Sequence, residues 1–199
     1  MMVALPKIPV CMLVEEFLAW NPPNGQLWQL VDGEPRAMAP ANRTHGAIQN
    51  EIGSLIRNHL AERASPCSVV TTPGVIPRVQ SNTNVRVPDL AVICSGYQSE
   101  EAALTDPVLL IEILSPSNQA ETWANVWTYT TIPSAQEILV LRAASIGAEL
   151  LRRNPDGTWP ERPEGIEDGE LVLKSIEFRV RLTDIYRTTR LHQVKRGSG

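Results

Sequence analysis

Cysteine is scarce in this chain: Cys11, Cys67 and Cys94 are the only three in 199 residues. They are far apart, with no C-x-x-C pair and no histidine at zinc spacing, which excludes the familiar structural zinc and dithiol motifs. The three read as reduced thiols of a cytoplasmic protein. Lysine is equally scarce, with Lys7, Lys174 and Lys195 alone. A strong charge of either sign is also missing. The formal net charge of −4 gives no whole-molecule field that would attract polyanions, so any nucleic-acid contact has to come from a local patch. No apolar run is long enough for a membrane span. The opening MMVALPKIPVCMLVEEFLAW, with one lysine, two early prolines and two acids, suits neither a secretory signal nor a transmembrane helix. There is no glycine-rich phosphate loop, which leaves ATP and dinucleotide binding without support. The Ser-Pro-Ser at 115–117 lacks the glycines of a nucleophile elbow.

What is present is an ordinary globular composition, 43% apolar and 20% charged, expected to form one domain over residues 1–190 followed by a disordered tail at 191–199. Val10 to Trp20 has helical spacing and is stopped by Asn21-Pro22-Pro23-Asn24-Gly25. Two short strands around Gln26–Val31 and Glu34–Met38 flank Asp32-Gly33, a strong hairpin signal. Asn42 or Thr44 can cap a long helix to about Arg63, whose stripe of Ile48, Ile52, Leu55, Ile56 and Leu60 places His45 and His59 inward. Strand character follows at Ser68–Val79 and at Val87–Cys94, with a turn at 81–84 and Asp89 opening the second strand after Pro88. Asn118-x-x-Glu121 has capping-box spacing ahead of a further helix. On that helix Trp123, Val126 and Trp127 form an apolar face, while Glu121, Asn125 and Tyr129 share the other. More strands are expected at 137–141, 148–153, 171–173 and 177–182, then a short helix at 183–187.

The stretch Pro107 to Ser117, PVLLIEILSPS, stands apart. It lacks alternation, as a strand covered on both faces does, yet carries Glu112 in its middle. A buried carboxylate needs a cation, a metal or hydrogen-bond donors. Asp89 is the natural companion, because side chains on neighbouring strands about 5 Å apart can reach one ion. Hard oxygen ligands of that kind suit Mg²⁺ or Mn²⁺. Equally open from spacing alone is that Asp89 merely starts a strand and Glu112 pairs with a buried arginine. His45 could likewise be a core histidine satisfied by a carbonyl. For Trp123 and Trp127, core packing is preferred over base stacking.

Val-Pro-Asp89-Leu-Ala-Val followed by Leu-Leu-Ile-Glu112-Ile-Leu-Ser-Pro-Ser resembles the Uma-type restriction endonuclease family, within the PD-(D/E)XK nuclease superfamily. Leu30-Val-Asp-Gly-Glu34, the Met-Ala-Pro before His45-Gly46, and Thr122 to Ser134 extend the resemblance over nearly the whole chain. It implies a restriction-endonuclease-like α/β (α+β) fold, a mixed β-sheet flanked by helices. It further implies Mg²⁺ or Mn²⁺ held by Asp89 and Glu112, with Glu34 and His45 lining the same site. The substrate or ligand would be nucleic acid, DNA first, with no membrane partner and a homodimer compatible with the family.

The chain departs from that pattern at the lysine. Two residues after Glu112 stands Leu114, and on the following helix, where the family carries its lysine, stands Asn125. An amide donates hydrogen bonds but supplies no charge. Asn125, His45 or Arg86 would have to cover part of that role in a metal-dependent endonuclease. The alternative is a catalytically weakened relative that serves as a nucleic-acid-binding or regulatory subunit.

Overall fold

The computed structural model describes residues 11–22, 25–96 and 102–192. Its centre is the run without alternation, β5 (Leu109–Leu114), paired antiparallel to β4 (Leu90–Ile93) and parallel to β6 (Glu137–Arg142). β3 (Ser68–Thr71) extends the sheet beyond β4. On the other side, β7 (Ala148–Arg152) and β8 (Glu164–Ile166) extend it beyond β6, giving six strands in the order β3-β4-β5-β6-β7-β8. Antiparallel neighbours can be joined by short turns, but the parallel β5–β6 pair needs a crossover, and α3 (Gln119–Tyr129) supplies it.

The two faces of the sheet are covered by different helices. α2 (Arg43–Glu62) lays Ile48, Ile52 and Ile56 on Leu109, Ile111 and Ile113. On the opposite face, Val126 and Tyr129 of α3 meet Leu110, Ile138 and Val140. Strand residues alternate between these faces, which explains why β5 reads as continuously apolar.

Two separate hairpins complete the fold. β1 (Trp28–Val31) and β2 (Glu34–Ala37) turn through Asp32 (φ 51°) and Gly33 (φ 83°), the double positive φ of a type I′ turn. A Cβ on Gly33 would also come within 2.7 Å of Cys11 Sγ. The short helix α1 (Val14–Ala19) covers this hairpin, and Val10, the expected start of that helix, lies outside the described residues. β9 (Glu170–Leu173) and β10 (Phe178–Arg181) form the second hairpin, and α4 (Leu182–Ile185) follows. Together they close the α2 side, where His59 is satisfied by donating to the Ile176 carbonyl at 3.0 Å.

Several expectations change. The strand foreseen over 68–79 stops at Thr71, because Thr72 adopts φ 48° and Pro73 follows without a donor. Asn118 sits at the N-cap but makes no side-chain cap bond, and β8 was not foreseen. The reduced-thiol reading is overturned for two cysteines. The β3–β4 register pairs Ser68 with Ile93, so Cys67 and Cys94 stand opposite one another and form a disulfide. Reduced thiols therefore no longer argue for a cytoplasmic location. Among the described residues no helix is long and apolar enough to cross a membrane. Residues 193–199, most of the expected tail, lie outside the described residues.

Candidate active site

Extending the β4–β5 register, in which Leu90 faces Ile111, by one residue places Asp89 directly opposite Glu112. Leu90 and Ile111 face α2, whereas Ala91 and Leu110 face α3, so both acids point to the α3 side. Opposed residues of this kind have Cβ atoms about 5 Å apart. The fold thus brings together the two acids that spacing had paired.

Asp89 is held from several sides. Its Oδ2 accepts from the Ile113 amide at 2.7 Å, and its Oδ1 lies 2.7 Å from His45 Nε2. Its backbone carbonyl accepts from Thr72 N and from Gln49 Nε2. His45 is fixed in turn by the helix start: its amide donates to Asn42 Oδ1 at 3.0 Å, so Asn42 is the cap. His45 Nδ1 is 3.5 Å from Ser115 Oγ, at the limit of a hydrogen bond. The histidine is therefore part of the acid pair's surroundings.

Glu112 is 6% exposed, and its Oε1 accepts from the Tyr129 hydroxyl at 2.7 Å. Among the described residues no arginine pairs with it. Burial pushes its carboxyl well above the usual range and the neighbouring Asp89 pushes it further, while bonds from Tyr129 and Asn125 pull it down. Tyr129 is also pushed well up, first by burial and then by Glu112, so its hydroxyl stays a donor.

Asn125 is buried on the turn of α3 before Tyr129. Its Oδ1 accepts from Arg86 Nη1 at 3.3 Å and its Nδ2 donates to Gln29 Oε1 at 3.4 Å. Gln29 in turn donates to Glu121 Oε1 at 2.6 Å. Asn125 and Tyr129, from the face expected to be polar, are therefore buried together with Val126, while Glu121 stays exposed. Trp127, placed on an apolar core face by its spacing, is 41% exposed, with its ring 6.4 Å from that of Trp123.

Glu34 is the expected site residue that the structure pairs elsewhere. Its carboxylate is 65% exposed and pairs with Arg36 at 2.9 Å, two positions along β2. The hairpin residue that does reach the polar cluster is Gln29, 1% exposed on β1. A single polar residue in a short strand carries no signal that it will be buried, so sequence patterning passes over it. Tyr129 was legible through its i, i+4, i+8 relation to Glu121 and Asn125, but its bond to Glu112 was not.

Two carboxylates crowded on one buried face, one of them pushed up first by burial and then by the other, form a donor set that suits a hard divalent cation. Among the described residues no group of three or more His, Cys, Asp or Glu is arranged as a metal cluster. The protein's contribution would then be Asp89 and Glu112 alone, with water and substrate oxygens completing the shell, as is usual for Mg²⁺. A cavity of about 300 Å³ between α2 and β3, lined by Gly46, Gln49 and Thr71, adjoins the Asp89 end. A larger one of about 690 Å³ opens beside Glu137 and Arg152 and includes neither acid.

A mixed sheet flanked by helices, with two acids side by side on adjacent strands, has the architecture of the restriction-endonuclease-like proteins. The model of the Uma2 family, described as "Putative restriction endonuclease", matches residues 14–183, and the chain belongs to that family. It is 28% identical over 175 residues to an uncharacterized protein of Synechocystis sp., covering 87% of this chain and 90% of that relative. A solved structure from Anabaena variabilis, described as "a putative nuclease belonging to DUF820", matches with a TM-score of 0.71. The match covers 88% of this chain and 98% of that one at 18% identity, and the likeness is one of fold.

Proposed function

We propose that the protein is a divalent-metal-dependent endonuclease that hydrolyses phosphodiester bonds of nucleic acid, with DNA as the expected substrate. The observation that carries this reading is the opposition of Asp89 and Glu112 on one buried face, with no arginine or lysine among the described residues paired with either. Asp89 and Glu112 would hold Mg²⁺ or Mn²⁺, which when bound supplies an activated water and polarises a phosphoryl oxygen. The chain's own part is orientation. Tyr129 donates to one oxygen of Glu112, and the Ile113 amide with His45 sets the plane of the Asp89 carboxylate. Family membership and the neighbour's fold support nuclease chemistry in general.

A second reading, a nucleic-acid-binding or regulatory subunit with weakened catalysis, is favoured by Asn125. The amide stands where the resemblance places a lysine, and it is engaged with another neutral amide, Gln29. Nicking of plasmid and cutting of single-stranded DNA, with Mg²⁺ or Mn²⁺, separates the two. Cleavage by the native chain that disappears in Asp89→Ala and Glu112→Ala supports the first. No cleavage by the native chain, but cleavage by Asn125→Lys, supports the second.

A further inference from the structure

Arg86 is the one buried guanidinium in the polar cluster, and no carboxylate among the described residues pairs with it directly. It lies three residues before Asp89, on a segment clamped from both sides. Val85 exchanges backbone bonds with Leu30 at 2.8 and 3.0 Å, and Arg86 does so with Val75 at 2.8 and 2.9 Å. Extended backbone sends successive side chains to opposite sides. Val85 enters the apolar cluster of Met12 and Leu30 beneath the hairpin, and Arg86 turns toward α3.

There the residue is 7% exposed. A guanidinium has five N–H donors, yet the bond formed here is one from Nη1 to the neutral Asn125 Oδ1. Nε is cut off from solvent with no partner. Among the described residues no carboxylate lies within ion-pair distance of it; Glu34, Glu137 and Glu51 pair with other arginines. A buried cation with no directly paired anion is a costly arrangement: burial holds Arg86 below the usual arginine range, and Tyr129, Asp32 and Glu121, acting without an ion pair, offset that only in part.

We infer that Arg86 is a phosphate-binding residue of this site: its guanidinium takes a phosphate oxygen of a nucleic-acid backbone lying across Asp89 and Glu112. Asn125 is its positioning residue. Arg86 is one side chain removed from Glu112, since Asn125 contacts both and Tyr129, bonded to Glu112, feels its charge. A planar fork matches two phosphate oxygens and keeps its proton, so the role is charge and orientation and not proton transfer. The inference rests on the nuclease-like reading for the identity of its ligand, and on the unpartnered donor for its existence.

The test uses the whole chain and begins without metal, so that binding is read apart from cleavage. Anisotropy with a single-stranded deoxyoligonucleotide over a salt series, with inorganic phosphate as competitor, compares wild type with a folded Arg86→Gln variant. Binding is expected to weaken at least about tenfold and the salt slope to fall by about one unit. Phosphate that binds while the oligonucleotide does not would assign the charge to free phosphate and overturn the nucleic-acid assignment. Unchanged affinity and slope in Arg86→Gln, or a wild type that binds neither probe, overturns the inference outright. In Mn²⁺ the variant should cut about 100- to 1,000-fold more slowly. Arg86-dependent binding by a wild type that never cuts overturns the nuclease reading and leaves this one standing. Rapid cutting by Arg86→Gln with unchanged binding does the reverse. Should Arg86→Gln not fold, the Arg86 Nε–H resonance of the native protein decides: it shifts on adding oligonucleotide, and a resonance that stays put rejects the role.

Discussion

On the α2 side of the sheet, Ile48, Ile52 and Ile56 meet Leu109, Ile111 and Ile113 in an apolar layer that needs no polar partner. On the α3 side, the next residues along the same strands are Asp89 and Glu112, facing Asn125 and Tyr129, with Arg86 and Gln29 behind them. Where α2 covers it, one face of the sheet is thus apolar, whereas the other sets a polar cluster beside its own apolar core of Leu110, Ile138 and Val140. The two-residue period of the strands keeps Asp89 and Glu112 off the α2 side. The buried polar face is the costlier one, because each member depends on the others for its hydrogen bonds. Its retention inside a fold that could have been apolar on both sides is itself an argument for a functional site.

That comparison can be broken from either side. The largest effect is expected on the polar face: Asp89→Ala should abolish metal-dependent cleavage, a loss beyond the ~1,000-fold of a single electrostatic donor. It should do so with little loss of fold, as read by circular dichroism beside the cleavage assay. Residual cutting by that variant would detach the acid pair from the chemistry.

On the apolar face the sign reverses. Ile52→Ala should cost about 2–5 kcal/mol of unfolding free energy, through lost transfer energy and the cavity left. Chemical denaturation measures this, and cleavage per folded molecule should stay as in wild type. If activity fell in step with stability in the folded variant, the two faces would not be separate.

Glu112 sharpens the comparison through pH. Its folded-state carboxyl lies well above its ordinary value, first through burial and then through Asp89. A raised carboxyl contributes stability that is fully present below the unfolded-state value and is lost as pH rises through the folded-state value. The metal-free protein should therefore lose this contribution on going from acid toward neutral pH. Glu112→Gln should flatten that part of the profile, and Mg²⁺ should offset the loss in wild type only. Melting curves across pH, with and without Mg²⁺, read all three; a wild-type profile identical to that of Glu112→Gln would remove the strain assigned to this acid.

The smallest effect belongs to Tyr129→Phe. Deleting a hydroxyl that donates to a buried carboxylate should cost about 1–3 kcal/mol. It should also move Glu112 further up, since the Tyr129 bond lowers it. An unchanged melting temperature, together with an unchanged pH profile, would mean that water replaces the donor.

Periodicity and turn chemistry made much of this protein legible before any coordinates. The buried run at 109–114, the Asp32-Gly33 hairpin, the Asn42 cap and the α2 stripe are local patterns, and local patterns are what a sequence displays. The resemblance carried by Asp89 and Glu112 pointed to the fold and the family, and the register of β4 against β5 supplied their opposition. What could not be read depended on contacts between distant segments. Gln29 meets Asn125 across 96 positions and Arg86 meets it across 39; Cys67 meets Cys94 across 27. Glu34, expected to line the site, is exposed and paired with Arg36 for the same reason: hairpin handedness and docking, rather than the acid's identity, decide which side chain turns inward. The sequence by itself determined that a carboxylate would be buried in a central strand and would require compensation. Only the tertiary structure decided which groups surround it, because hydrogen-bond partners are set by strand register and helix docking, long-range quantities that no local pattern encodes.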